Sequence, residues 1–441
     1  MKKKGYLSIF IILISLLLNS CGSKRISKKI IVASSGKIES LDPARANTLK
    51  AIQLISSLGD TLYELNSNGE LIPELASGMP IISKDRLKIV INLRKNVFFH
   101  DGTSFNSNAI KFTFDRFKRI GTMNYILGNK IKSIETPSEY SVIINLNKPS
   151  SSINGLLTSV NLTPISPTFY QEYSDKFLNE KFVGTGKYVL SSFSNEVQSI
   201  DPNLNYWGEK PLNEGIDFVG YSNSSSLFGA LKSKQIDVLL SNSIDDSQRK
   251  SLNNLSKNKQ FKEGNSPFTE LSFISLKTSS YPLNNLNLRL ALAKSLNRKL
   301  ISEKVSYGLR KPSRSIIPPI LKKDNQALWP KYDYLEARRL LQNENYCNGN
   351  ILKIPLTYRS NVPADKLIAL TWQQEIKNSL KDCINIELNG VESTTVYKNL
   401  SLGIYTAVLL DWTGAYSDPE AYLTPHLSCN QIVDGLSLIH I

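Results

Sequence analysis

The ten residues "DWTGAYSDPE", 411–420, bring together side chains suited to ligand contact: three carboxylates and two aromatic rings. They follow the apolar run "IYTAVLL" at 404–410, and an apolar run that breaks into Gly, Ser, Asp and Pro predicts a buried strand ending in a turn. Loops at strand ends commonly present binding groups on a rigid scaffold. Two interpretations stay open, because Trp412 and Tyr416 could contact a ligand or fill the core of a structural turn.

Residues suited to catalysis or metal binding do not form any familiar motif. His100, His426 and His440 are far apart, and the chain has no GxSxG elbow, CxxC pair or Cys/His cluster. His100 could act as a base, but a turn histidine with local hydrogen bonds is the simpler interpretation. The glycine turn "VGTGKY", 183–188, lacks the GK[ST] ending of a phosphate-binding loop. We therefore expect no enzymatic activity, no catalytic residue, no metal and no cofactor.

The N-terminus has the pattern of an export signal. Three lysines at positions 2–4 precede an apolar stretch, 6–18, that is short for a membrane span and typical of a signal-peptide core. The following "LNSC" resembles a lipoprotein lipobox, which predicts a signal peptide over 1–20 and a lipid on Cys21. An uncleaved anchor helix is the alternative, and either interpretation exports the chain.

Composition describes an ordinary globular protein. The 441 residues are 41% hydrophobic and 21% charged, enough for two or three domains. Removing the three leader lysines from the formal net charge of +15 leaves +12, which could attract anionic headgroups, surface polymers or an acidic ligand. The basic residues do not form a nucleic-acid-binding motif, so we expect no nucleic-acid partner.

Periodicity predicts both strands and helices. Strands are expected at 29–35, 87–93 and 141–146, and helical segments at 52–65, 106–119 and 364–382. In the last third of the chain the two types alternate, which indicates an α/β domain.

The cysteines of this last third suit a disulfide. Cys347 precedes the strand-like "ILKIPLTY" and Cys383 precedes "INIEL", with a helix-like segment between them. In a parallel strand-helix-strand unit both cysteines lie at the same end of neighbouring strands, so a bridge is geometrically reasonable. Cys429 is left without a predicted partner.

Several segments, taken in order, resemble one protein family. The most specific is "GELIPELASGMPIISKDRLKIVINLRKNVFFHDGTSFNSNAIKFTFDRF", and others are "FVGTGKYVLSSF", "NYWGEKPLNEGIDF", "YDYLEARRLLQNENY" and "LLDWTGAYSDPEAYLTPHLSC". Together they resemble the family 5 solute-binding lipoproteins of bacterial ABC importers, which bind oligopeptides and dipeptides. The resemblance covers most of residues 38–429.

The resemblance implies a fold. It is the α/β, two-lobed, type II (cluster C) periplasmic-binding-protein-like fold with an extra inserted domain. The first lobe would comprise 24–66 and 183–267, the inserted domain 67–182, and the second lobe 268–441. Family members continue past the "DP" turn, and the closing "LSLIHI" is unlike them, so we expect the end near Ile441 to be truncated and the second lobe incomplete.

The resemblance also implies a function and a site. Such a protein, expected here as a monomer held by its lipid at the periplasmic or outer face of the membrane, would capture a peptide or peptide-like solute between closing lobes. It would then deliver the solute to a membrane permease. The ligand residues would lie in the turn, at Trp412, Gly414, Ala415, Tyr416 and Asp418.

One position of the turn departs from the family pattern. The pattern W-x-x-D-x-x-D-P supplies an aspartate for the α-ammonium of a peptide, and Ala415 replaces that aspartate here. A buried ammonium without a counter-charge is costly, so a peptide with a free amine is a poor candidate ligand.

The last residue of the strand "ILKIPLTY" and the residue just after it are two further candidates. Tyr358 and Arg359 would lie at the strand end, where Arg359 could hold an anionic group or be a plain surface arginine.

Competing hypotheses for the whole protein are an envelope lipoprotein with a binding or structural role without transport, and an exported enzyme on the same scaffold.

Overall fold

The structure is a computed structural model that describes residues 29–46, 48–66, 69–240, 243–264, 269–321, 329–400 and 402–427. The predicted signal peptide, Cys21, Cys429 and the end near Ile441 lie outside these residues. Within the described part, every helix is too short or too polar to cross a bilayer.

Strands and helices alternate along the described chain. The strands are β1 (Ile30–Ser35), β2 (Tyr63–Leu65), β3 (Leu71–Pro73), β4 (Ile81–Ile82), β5 (Lys88–Asn92), β6 (Ile131–Ser138), β7 (Ser141–Leu146), β8 (Tyr188–Phe193), β9 (Val197–Pro202), β10 (Ile216–Tyr221), β11 (Val238–Leu239), β12 (Leu271–Leu276), β13 (Leu352–Arg359), β14 (Ile384–Val391) and β15 (Ala407–Trp412). The α-helices are Leu49–Leu58, Ser107–Ile120, Ile153–Leu156, Pro167–Tyr170, Ser224–Lys232, Asp246–Lys257, Leu286–Ser295, Arg298–Ser306, Tyr334–Asn343, Pro363–Ser379, Ser393–Leu400 and Glu420–Leu427.

The strands of the described residues form three larger sheets and one two-stranded ribbon. The first sheet has the order β11-β1-β10-β9-β8, and β1 pairs in parallel with both β10 and β11. The second, antiparallel sheet has the order β4-β5-β7-β6 and lies in sequence between β1 and β8. The third has the order β12-β15-β13-β14, with β13 parallel to both β14 and β15. The ribbon joins β2 and β3.

The apolar periodicities explain most of these elements. In β5, Ile89 and Ile91 are buried and the intervening side chains are less so. The helix Ser107–Ile120 begins at its cap Asn106, whose side chain accepts a hydrogen bond from the Asn108 amide, and it buries one apolar face. The helix Pro363–Ser379 likewise buries Trp372 against the third sheet. These strand and helix predictions are confirmed.

One helix prediction is wrong in part. The segment 52–65 was expected to be helical throughout, but the helix ends at Leu58 and Tyr63–Leu65 forms a strand. At the helix end, the backbone of Leu58 and Gly59 packs so closely on the glycine turn 183–188 that a Cβ at Gly186 would collide with it. This close approach explains the glycine at Gly186 by packing.

The disulfide in the third sheet joins two chain segments at one end of its strands. Cys347 and Cys383 are bonded with an S–S distance of 2.14 Å, and both are buried. The parallel register pairs Leu352 with Ile384, which brings the two preceding segments together as expected for a strand-helix-strand unit.

A buried ion pair connects the helix Ser107–Ile120 to the segment after β1. Arg116 and Asp42 are 1% and 0% exposed, and the guanidinium donates two hydrogen bonds, of 2.8 and 2.6 Å, to the carboxylate. Arg116 also donates to the carbonyls of Tyr173 and Lys176, and the Leu178 amide donates to Asp42. The pair thus fixes three chain segments at once.

We predict that Arg116→Met destabilises the protein by about 3–5 kcal/mol, because it leaves the Asp42 carboxylate buried without its partner. Urea unfolding gives the free energy of unfolding. The matched control is Lys111→Met in the same helix, where the ion pair with Asp115 is about half exposed and contributes under about 1 kcal/mol. Equal losses in the two variants would contradict the prediction.

Candidate functional site

The turn at residues 411–420, called here the strand-end turn, begins at the end of β15 beside the start of β12. The antiparallel register pairs Trp412 with Leu271 and Asp411 with Ser272. Gly414 sits so close to the following helix that a Cβ would lie 2.7 Å from the Tyr422 ring, which explains glycine at this position. The Asp418 carboxylate accepts a hydrogen bond of 2.8 Å from the Glu420 amide and so starts that helix.

Both aromatic rings of the turn are packed against protein. Tyr416 is 6% exposed and belongs to the same apolar cluster as Ile153 and Leu156. Trp412 is half-buried, and its indole nitrogen donates to the Ala421 carbonyl at 2.9 Å. The structural interpretation therefore describes Tyr416 well, whereas Trp412 retains an exposed part.

The strand-end turn contacts residues 125–159, called here the facing segment. The Ser159 hydroxyl donates to the Ala415 carbonyl at 3.1 Å. Lys130 forms an ion pair of 3.1 Å with Glu420 and a hydrogen bond of 3.4 Å to the Tyr416 hydroxyl. More than 250 residues separate Ser159 from Ala415 along the chain, so no local sequence signal could have predicted these contacts.

The space beside Ala415 is small. A cavity of about 10 Å³ is lined there by residues that include Tyr125, Lys130, Ala415 and Thr424, and the buried Tyr125 hydroxyl has no hydrogen-bond partner. Such a volume holds no more than about one water molecule. The space between Ala415 and the facing segment is therefore too small for a solute.

Arg359, the last residue of β13, is neither on the surface nor free. It is 3% exposed, which makes the surface-arginine interpretation wrong. Its guanidinium donates two hydrogen bonds to Asp365 (2.7 and 3.0 Å), two to Asp411 (2.7 and 2.8 Å) and one to the Tyr397 hydroxyl (2.8 Å). All five N–H donors are used.

The surroundings of Arg359 keep it charged. Burial opposes the charged form, but the hydrogen bonds that Arg359 donates to Asp365 and Asp411 outweigh it and raise the pKa of Arg359. The cluster contains two carboxylates for one guanidinium, and burial raises the pKa of Asp365. An anionic ligand group could bind Arg359 only by displacing Asp411 or Tyr397.

Another charged network extends from the start of β12 to the helix Asp246–Lys257. Arg310 forms an ion pair of 3.0 Å with the buried Asp246 and a hydrogen bond of 3.2 Å to the Ser272 hydroxyl. Burial, and then the nearby Asp411 charge, raise the pKa of Glu270, which lies 4.0 Å from Arg310. The strand-end turn thus borders a region in which acidic and basic side chains lie within ion-pair distance of one another.

Groups suited to catalysis or metal binding do not converge here. In the described residues no three His, Cys, Asp or Glu side chains are arranged to hold a metal ion. The His100 ring contacts the Gly186 carbonyl at 3.2 Å, and burial lowers the pKa of this histidine. Tyr358 follows the buried Thr357 in β13 and packs beside Gly390 of β14 rather than in the strand-end turn.

Comparison with known proteins identifies the family. The model of the bacterial extracellular solute-binding proteins, family 5 (middle), matches residues 70–434. The chain belongs to this family. Family 5 proteins are substrate-binding proteins of ABC importers and are not enzymes, and membership implies an exported protein.

Relatives and solved structures agree with this assignment. The glutathione-binding protein GsiB of Escherichia coli is 26% identical over 360 residues, which cover 80% of this chain and 69% of the relative. The dipeptide-binding protein of Pseudoalteromonas in complex with Met-Leu has a TM-score of 0.80 at 22% identity, covering 93% of this chain and 85% of the other. NikA of Brucella suis in complex with Fe(III)-EDTA has a TM-score of 0.81 at 22% identity, covering 94% of this chain and 85% of the other.

These findings confirm the family 5 and fold predictions. The assignment of Trp412, Gly414, Ala415, Tyr416, Asp418, Arg359 and Tyr358 to ligand binding stays a prediction. The structure adds two contacts of the turn that the sequence did not indicate, with Ser159 and with Lys130. It also places Tyr125, whose hydroxyl has no hydrogen-bond partner, beside Ala415.

His426, in the helix that follows the turn, generates a pH-dependent prediction. It is 4% exposed, lies between the Phe273 and Trp412 rings, and neither ring nitrogen has a hydrogen-bond partner. Burial lowers the pKa of His426 to about 4. An unfolded histidine has a pKa of about 6.5, so between these values the unfolded state binds the extra proton.

We therefore expect stability to fall as pH drops from about 6.5 to about 4, by roughly 3 kcal/mol from this residue. Urea unfolding at several pH values measures the loss in the wild type and in His426→Leu, which cannot titrate. The difference between the two pH profiles isolates His426 from the carboxyl groups that titrate in the same range. Parallel profiles would contradict the prediction.

Proposed function

We propose that the protein is the extracytoplasmic receptor of an ABC importer, which captures a peptide-like solute at the strand-end turn and delivers it to a membrane permease. The observation that carries this proposal is the family 5 match over residues 70–434, which includes the turn itself. The contacts between the turn and the facing segment support a mechanism in which opening admits the solute and closure buries it.

The charges around the turn support a ligand that lacks a free α-ammonium. Position 415 is alanine, and Asp411 and Asp418, the carboxylates nearest to it in sequence, are engaged by Arg359 and by the Glu420 amide. Glu420, which also lines the space beside Ala415, is paired with Lys130, so a free ammonium buried there would lack an unpaired counter-charge. An N-blocked or otherwise neutral peptide-like solute fits this environment better. Glutathione and Met-Leu, named for the two similar proteins, show that related receptors differ in ligand.

The domain boundaries and the membrane anchor belong to the same proposal. The first sheet supports a discontinuous first lobe, made of residues 24–66 and 183–267. The second sheet supports an inserted domain over residues 67–182, and the third sheet supports a second lobe that begins at residue 268. Tyr170 and Phe182 pack in the first-lobe core, so the end of the inserted segment contacts that lobe. A lipid on Cys21 would keep a monomeric receptor at the membrane near the permease.

Mass spectrometry of small molecules that co-purify with the protein, followed by calorimetry with the identified solute, tests the proposal. We expect a peptide-like compound without a free α-amine. Recovery of an ordinary free-amine peptide would contradict the proposed ligand class. The receptor function would be contradicted if none of a panel of peptide-like solutes bound to the protein.

Ala415→Asp gives a sharper test, because it places a carboxylate where a bound ammonium would need one. We expect affinity for Ala-Ala to rise at least tenfold, about 1.4 kcal/mol, with no gain for N-acetyl-Ala-Ala. Isothermal titration calorimetry measures both. Ser417→Asp, which adds the same charge at an exposed neighbouring position, is the control and should leave both affinities unchanged.

A further inference from the structure

A second cavity opens on the third-sheet side of the molecule, away from the strand-end turn. It has a volume of about 420 Å³, and its lining includes Tyr281, Asn284, Asn285, Glu344 and Tyr346. Ligand pockets commonly measure about 300–1,000 Å³, so this cavity is large enough for a small molecule. Its lining residues belong to neither the turn nor the facing segment.

The Glu344 carboxylate gives the cavity its charge. Asn285 donates to one carboxylate oxygen at 2.6 Å and Asn287 donates to the other at 2.7 Å. Both donors are neutral amides, and no lysine, arginine or histidine among the residues that the structure describes forms an ion pair with Glu344. Within the described residues the carboxylate is therefore hydrogen-bonded by two neutral amides and forms no ion pair.

The carboxylate is held in place by two helix ends. Asn285 caps the helix Leu286–Ser295, because its side-chain oxygen accepts the Asn287 amide at 2.8 Å while its nitrogen binds Glu344. Glu344 itself follows the helix Tyr334–Asn343, and its amide donates to the Leu341 carbonyl. The group is thus positioned before any ligand arrives, which reduces the entropy lost on binding.

Two tyrosines also line the cavity. Tyr346 is 8% exposed and is fixed beside Cys347, whose disulfide joins it to Cys383. Tyr281 is 82% exposed, so most of its ring is free to contact a ligand. Burial, followed by a hydrogen bond with Tyr281, raises the pKa of Tyr346, which keeps this hydroxyl neutral. Aromatic rings next to a carboxylate favour cations through their negative faces.

We propose that this cavity binds a small organic cation, whose ammonium group pairs with the Glu344 carboxylate and contacts the rings of Tyr281 and Tyr346. An anion would be repelled by Glu344, and a neutral polar molecule would leave its carboxylate without an ion-pair partner. The site is independent of the proposed solute cleft, because the two share no residue.

Isothermal titration calorimetry at low ionic strength tests the site with choline as the probe and 3,3-dimethyl-1-butanol as its uncharged isostere. We expect saturable binding of choline to the wild type. Binding should weaken at least tenfold for the isostere, for Glu344→Gln and for Tyr281→Ala. Glu387→Gln, which removes the same charge from an exposed position on β14, is the matched control and should bind choline like the wild type.

Thermal unfolding checks that each variant is folded. If Glu344→Gln loosens the two helix ends, Tyr281→Ala still tests the site, because the Tyr281 ring lies largely outside the core. The inference is wrong if choline does not bind the wild type, if the isostere binds equally well, or if a folded Tyr281→Ala retains full affinity. None of these outcomes depends on the solute of the cleft.

Discussion

The guanidinium of Arg359 is the interaction on which the geometry of the third-sheet region depends. It joins the end of β13 to Asp365 in the helix Pro363–Ser379 and to Asp411 at the end of β15. Because all five donors are used, the three elements cannot shift independently without leaving a buried charge unpaired. Asp411 is the first residue of the strand-end turn, so the position of the turn is set by this cluster.

That constraint changes what the turn can recognise. An arginine at a strand end would ordinarily be a good receptor for a carboxylate, but here two aspartates of the same chain occupy it. The position where the family pattern has a carboxylate holds Ala415. Under the proposed function, ionic recognition of both peptide termini is thus reduced, and shape, aromatic contact with Trp412 and backbone hydrogen bonding remain as the means of selection.

Closure over the solute is the other part of the proposed mechanism. The turn contacts the facing segment through Ser159, Lys130 and the buried ring of Tyr416, and the space left beside Ala415 is about one water molecule in size. A solute bound there would replace some of these contacts. In the proposed mechanism the free energy of binding depends on how these contacts of the turn compare with those made to the solute.

Much of the fold followed from the sequence alone, because local patterns reflect local physics. The alternation in β5, the cap at Asn106 and the ordered motifs of the family all act over short stretches, and the predicted strands, helices and fold class are confirmed from them. The strand Tyr63–Leu65 is the exception, because this segment was predicted to be helical. It follows the point where the glycine turn 183–188 packs on the end of the preceding helix. Apolar residues at that point suit either structure, and packing decided between them.

The electrostatics of the site, in contrast, were decided only by the tertiary structure. The sequence identified Ala415 and the aromatic residues of the turn, and it placed Arg359 at a strand end. It could not indicate that Asp365 and Asp411 would neutralise that arginine, or that Lys130 and Glu420 would meet across the turn. Charge pairing depends on distances between groups that folding brings together from remote parts of the chain, and no local spacing encodes those distances.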